Sequence, residues 1–148
     1  MSLKDRVVED MKAAMRARQS ARLSTIRLLL AAMKQREVDE RITLSDADVL
    51  SIIDKMMKQR RDSVAQFGAG GRPDLVAIEQ AEIAVLAEYM PLPLSPTEIA
   101  QMIQAAIAET GAAGIAGMGK VMAVLRPKLA GRADLGDVSA QVKARLSA

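Results

Sequence analysis

The stretch "MPLPLSPTE" places Pro91, Pro93 and Pro96 within six residues of a chain that is otherwise built almost wholly of helical pattern. Proline lacks the amide proton of a helical ladder and pushes the residue before it into extended backbone, so no helix runs through this segment. The sequence must therefore bury two separate sets of apolar stripes, one on each side of the break. Three segments follow: an N-terminal domain over residues 1–90, a proline-rich hinge over 91–94, and a C-terminal domain over 95–148.

Upstream of the break the apolar spacing predicts four helices. Ser2 and Asp5 make a Ser-x-x-Asp start, followed by Val7, Val8, Met11, Ala14 and Met15 at helical spacing. A second helix begins near Ser20 and aligns Leu23, Ile26, Leu29, Leu30 and Met33, with Arg22, Arg27 and Lys34 off the stripe. Ser45 and Asp48 open a third, which carries Val49, Ile52, Ile53, Met56 and Met57 inward until "FGAGG" stops it. The fourth is expected from Pro73 to Met90, with Leu75, Ile78, Ala81, Ile83, Leu86 and Met90 buried.

Downstream, Ser95, Pro96 and Glu98 form a capped start for a helix that buries Ile99, Met102, Ile103, Ala106 and Ile107. A glycine-rich stop spans Gly111 to Gly119. The next helix aligns Met118, Val121, Met122 and Leu125, and Pro127 is expected to kink or end it. Asp134 to Leu146 reads as the last, with Leu135, Val138, Val142 and Leu146 inward. The fold class is all-α, a four-helix N-terminal domain followed by a small three-helix C-terminal domain. Composition agrees, because Phe67 and Tyr89 are the only aromatic residues and ten methionines join Leu, Ile, Val and Ala in building the core.

What the chain can do chemically is narrowed by what it lacks. With no Cys and no His, thiolate chemistry and the most common general base and metal ligand are absent. Ser24, Ser51 and Ser63 fall inside ordinary helix patterns, where no base is set beside them. No catalytic residue, cofactor or metal ligand is assigned. "GIAGMGKV", Gly114 to Val121, spells most of a phosphate-binding loop. Val121 stands where magnesium needs a hydroxyl, and a helical pattern stands where that loop needs a strand. No nucleotide partner is expected. The charged start "MSLKDRVVED" lacks the apolar core of a secretory signal, and no apolar run reaches membrane-spanning length. The expectation is a cytoplasmic protein with no membrane partner.

The net charge of +3 conceals segregation. Lys12, Arg16, Arg18, Arg22, Arg27, Lys34 and Arg36 stand between Met11 and Arg36 without an acid, whereas Pro73 to Gly119 holds six acids and no Lys or Arg. The tail turns basic again from Lys120. Clustered cations point to a polyanion, unless the acidic middle pairs with the basic start.

Four phrases carry a family resemblance in order and with fitting spacing: "RLSTIRLLLAAMK", "KMMKQRRDS", "EIAVLAEYMP" and "GKVMAVLRPKLAGRAD". Together they resemble the YqeY-like (GatB/YqeY) family of small bacterial proteins over essentially the whole chain. The C-terminal part is similar to the tail of the B subunit of the tRNA-dependent amidotransferase, through Gly119, Val121, Met122, Gly131, Arg132, Ala133, Asp134 and Val138. The resemblance implies a four-helix domain followed by a three-helix domain. It also implies a link to carbon–nitrogen ligase chemistry with glutamine as amido-N-donor, a description that belongs to the larger enzyme, whose active sites lie outside the tail that grips tRNA. Gly119 and Gly131 are expected to let two helices approach and turn, a packing role. Ala123 and Ala130 stand where lysine is frequent in the family, and Ser139 where asparagine is usual.

The resulting expectation is a small non-catalytic accessory module that binds tRNA or another structured RNA, with amidotransferase or other translation proteins as further candidate partners. Its candidate nucleic-acid-binding residues are Lys55, Lys58, Arg60 and Arg61 in the N-terminal domain and Lys120, Lys128, Arg132 and Lys143 in the tail. With almost no aromatic residue to stack on bases, contact would be to backbone and shape. The alternative is a protein-interaction adaptor without RNA binding, with Met56, Met57 and Met90 lining an adaptable groove.

Overall fold

In the computed structural model, which describes residues 1–129 and 131–148, every element is a helix. The order is α1 (Leu3–Arg16), α2 (Ser20–Glu40), α3 (Asp46–Ala69), α4 (Pro73–Ala87), α5 (Pro96–Thr110), a 3₁₀ turn (Ile115–Gly117), α6 (Met118–Leu129) and α7 (Leu135–Leu146). Two compact units divide the chain, Met1–Met90 and Pro91–Ala148.

Local chemistry sets the helix starts. The Ser2 hydroxyl accepts from the Asp5 amide, and at Ser45 and Ser95 both halves of a capping box form, with Asp48 and Glu98 accepting in return. The Ser45 amide and hydroxyl both donate to Asp48 and hold its carboxyl below the usual range. The ends are less uniform. α3 closes with Gly71 in the left-handed region (φ 70), donating to Gly68 while Arg72 donates to Phe67. α1 closes with the same pair of hydrogen bonds, Arg18 to Met15 and Gln19 to Ala14, but the left-handed residue is Arg18 (φ 56). Arg41 (φ 54) is also left-handed after α2, where its amide and that of Ile42 both donate to the Glu37 carbonyl.

In the first unit α3 packs most extensively on α4, and α1 on α2. Val7, Ile26, Leu29, Met33, Val49, Ile53, Leu86 and Tyr89 form its centre. The fourth helix departs from expectation. It ends at Ala87, Ile78 is 55% exposed and Ala81 is exposed as well. The inward stripe runs through Leu75, Val76, Glu82, Ile83 and Leu86, because Glu82 faces α3 to meet Arg60, and that turns Ile78 outward.

In the second unit Ile103 and Ala106 of α5, Val121, Met122, Leu125 and Leu129 of α6, and Val138, Val142 and Leu146 of α7 close one core. Pro127 does not end α6, which continues to Leu129. Proline in this last turn removes only the hydrogen bond to the carbonyl of Ala123, an exposed position of α6.

Of the two glycines expected to let helices approach and turn, Gly131 does turn the chain, and the expectation that needs correction is the close approach at Gly119. A Cβ on Gly119 would meet nothing within 4 Å, and Gly131 serves a turn at φ 76. The close approach lies at Gly117, where a Cβ would stand 2.6 Å from the Ala112 Cβ. Gly117→Ala is therefore expected to lower the stability of the second unit by about 1–3 kcal/mol through overpacking, while Gly119→Ala leaves it unchanged or raises it slightly. Thermal melts of the two variants, followed by circular dichroism, check the contrast.

Candidate nucleic-acid interface

The eight candidate cations fall into both units, and the structure treats them differently. On α3, Arg60 turns inward. Its Nε donates to Glu82 at 2.7 Å and its guanidinium to the Met56 carbonyl at 3.2 Å, with the side chain 13% exposed. It ties α3 to α4 and is removed from the set of free cations. Lys58 pairs with Asp54 one turn earlier at 3.2 Å. Lys55 and Arg61 are exposed and enter no ion pair among the described residues. Lys55 borders a groove of about 530 Å³ between α2 and α3 that also contains Asp39 and Glu40, so its surroundings are of mixed charge.

The second unit presents its cations openly. Lys120 in the first turn of α6, Lys128 in its last turn, Arg132 in the following loop and Lys143 in the last turn of α7 are all exposed. None enters an ion pair among the described residues. The cause is in the sequence: the core stripe of α6 takes Val121, Met122, Leu125 and Leu129, which leaves Lys120 and Lys128 on the remaining surface. The Arg132 loop is fixed by its backbone, whose carbonyl accepts from the Leu94 amide at 3.0 Å. Arg126 and Arg145 are exposed too and extend the charged surface. Ala123 is an exposed position on α6, and Ala130 lies outside the described residues.

"GIAGMGKV" is a 3₁₀ turn running into α6, with helix α5 before it and Val121 wholly buried. The strand that a phosphate-binding loop requires is replaced by a helix. The serines weighed for nucleophilic chemistry lie on helices: Ser63 donates to the Gln59 carbonyl at 3.2 Å, and Ser24 and Ser51 are exposed. Among the described residues no buried side-chain polar atom lacks a hydrogen-bond partner and no acidic cluster could hold a metal ion. No helix among them is long and apolar enough to cross a membrane. Of the methionines considered for an adaptor groove, Met56 is part of the first core and Met57 and Met90 pack against it.

Among the described residues the basic start and the acidic middle form one ion pair, Arg22 with Glu88, and the hydrogen bond between them raises the Arg22 pKa. Lys12 pairs instead with Glu9, and Arg36 with Glu40 and Asp48. Arg16, Arg18, Arg27 and Lys34 are exposed and in no ion pair among the described residues. These four stand outside the eight candidates. The seven-residue spacing of Arg27 and Lys34, opposite the apolar stripe of α2, is the signal that marks these two.

The model of the YqeY-like protein family matches residues 4–146. The chain belongs to the YqeY-like family. Among curated proteins, this YqeY-like chain is 40% identical over 92 residues to "Altered inheritance of mitochondria protein 41, mitochondrial" of Eremothecium gossypii, covering 61% of the chain and 50% of the relative. The protein of that name from Kluyveromyces lactis is 38% identical over 92 residues (61% and 50%), and one from Saccharomyces cerevisiae 39% over 90 (58% and 48%). The chain thus spans about half the length of the curated relatives it matches. Their names correct the expectation of a cytoplasmic protein, since these relatives are mitochondrial. The physical reason is that the lack of an apolar secretory core argues against secretion alone, and does not separate cytoplasm from organelle.

Proposed function

We propose that this small helical protein is a non-catalytic accessory module that binds folded RNA, tRNA foremost, through the cations of its second unit. The observation that carries this reading is that Lys120, Lys128, Arg132 and Lys143 are all exposed and in no ion pair among the described residues, whereas Arg60 and Lys58 of the first unit are paired with acids. Phosphate contacts by such side chains gain free energy by releasing counterions and carry no base sequence. The likeness of this unit to the tRNA-gripping amidotransferase tail supports tRNA as the ligand and supports a link to tRNA-dependent amidation.

The test is fluorescence anisotropy of labelled bulk tRNA against the full chain over a range of salt. Replacing Lys120, Lys128 and Arg132 together by Ala is expected to flatten the dependence of log affinity on log salt by about 2, at about 0.7–0.9 for each phosphate no longer neutralised. The helical signal stays constant, because all three side chains lie off the core stripe. An unchanged slope would remove the second unit as the RNA surface. A wild-type chain that binds no tRNA at low salt would leave the adaptor reading in its place.

A further inference from the structure

We propose a second phosphate-binding surface, on the outer face of α2 in the first unit, that takes the phosphodiester backbone of the same folded RNA; it rests on the RNA reading above. The face follows from helix geometry. With Ile26, Leu29 and Met33 buried, the opposite side of α2 exposes Ser20, Ser24, Arg27, Ala31 and Lys34. Arg27 and Lys34 are two turns apart, roughly 10 Å along the axis, and so point the same way.

Several features make this face fit a phosphate strand. Ser20, Ser24 and Arg27, with Leu23 and Leu28, line a shallow, open groove of about 400 Å³, which sets two hydroxyl donors and a guanidinium along one surface of α2. Lys34 continues the positive line beyond it, and the small side chains of Ser24 and Ala31 let a backbone come close. At the other end, Arg16 and Arg18 flank the turn into α2, where the cap of α1 fixes Arg18. The acids beside this face are already engaged: on α2, Glu37 accepts from Lys4 at 2.8 Å and Asp39 from Gln35 at 2.8 Å, and on α4, Glu82, which borders a groove with Ser24, accepts from Arg60 at 2.7 Å.

Other anionic partners fit less well. A bilayer surface binds an amphipathic helix by taking up its apolar face, and here that face is already in the core. An acidic protein would need an anchoring apolar cluster, whereas the exposed large apolar residues of α2 itself, Leu28 and Val38, stand ten residues or roughly 15 Å apart on the helix.

The experiment uses the full chain, bulk tRNA and salt titration. Arg27→Gln with Lys34→Gln is expected to weaken binding at least tenfold near 0.1 M salt and to lower the log–log slope by about 1.5, because two phosphates are no longer neutralised. Arg27→Lys keeps the charge and is expected to keep the slope. Arg72→Gln removes one charge from the same unit at a residue already paired with Asp74, and is expected to leave the slope unchanged. If the double variant binds like wild type while the Lys120, Lys128 and Arg132 triple variant is weakened, the α2 surface is refuted and the RNA reading stands. If the double variant is weakened and the triple is not, the α2 surface holds and the second unit is excluded. A wild-type chain that ignores tRNA overturns both. Loss of binding to phosphatidylglycerol vesicles with tRNA binding intact would assign the face to lipid and overturn the proposal.

Discussion

Leu125→Ala is expected to unfold the second unit at room temperature while the first keeps its helices. Leu125 is wholly buried at the middle of α6, in the one core shared by α5, α6 and α7. Truncating a leucine in such a position costs about 2–5 kcal/mol, as lost transfer free energy plus the cavity left behind. A unit that spans only Pro91–Ala148 buries a smaller share of its chain surface than a larger domain does, and its stability is of the same order as that loss. Circular dichroism of the variant should therefore show loss of the helical signal of α5, α6 and α7, with a later transition at the temperature of the wild-type first unit. A fragment of residues 1–90 should melt at that same temperature. A single transition shifted as a whole would show that the two units unfold together.

Which parts of this molecule can be read in its sequence follows from the range of the physics involved. Helix starts are legible at Ser2, Ser45 and Ser95, because a cap is a contact between residues three apart and its chemistry is written locally. The inward stripes of α5, α6 and α7 are legible for a similar reason, since each of these short helices has one apolar side and that side has one place to go. The buried face of α4 is not. That helix is apolar nearly all round, so periodicity does not choose among faces, and the choice is made by Glu82 meeting Arg60, twenty-two positions earlier.

Arg60 shows the same limit at the candidate site. In "KMMKQRRDS" it is one cation among four, and spacing along one helix makes it the equal of Lys55 and Arg61. Only the packing of α3 on α4 separates the cation that holds the first unit together from those left facing water. The same holds for the basic start, where sequence leaves internal pairing open and the fold pairs Arg22 with Glu88 while leaving Arg27 and Lys34 free of ion pairs among the described residues. Gly117 is, in the sequence, one glycine of a helix stop, and its closeness to Ala112 depends on how the chain folds back after α5.

Tyr89→Ala is expected to destabilise the first unit by about 4 kcal/mol, and Tyr89→Phe by about 1–2 kcal/mol, with different dependences on pH. Tyr89 is 4% exposed among the core residues of the first unit, so Ala leaves a cavity the size of a ring. Its hydroxyl donates to Asp10 at 2.6 Å, and the Arg6 guanidinium lies 4.9 Å from the ring centroid. Phe keeps the ring, its burial and the cation above it, and loses the hydrogen bond alone; the Asp10 side chain, 31% exposed, recovers part of that loss from water. Burial and then the bond to Asp10 push the Tyr89 pKa upward. The neutral hydroxyl is the form favoured in the folded state, so this stabilisation is complete below the unfolded value of about 10 and is lost as pH rises above it. Between pH 7 and 9 wild type and Tyr89→Phe should run parallel. Above pH 10 the wild type should lose up to about 1.4 kcal/mol per pH unit, a slope missing from Tyr89→Phe, so the two denaturation curves converge. Urea denaturation of the two proteins across pH 7 to 11 measures this, and a gap that stays constant to pH 11 would show that the Tyr89 hydroxyl is not held in the protonated form by the fold.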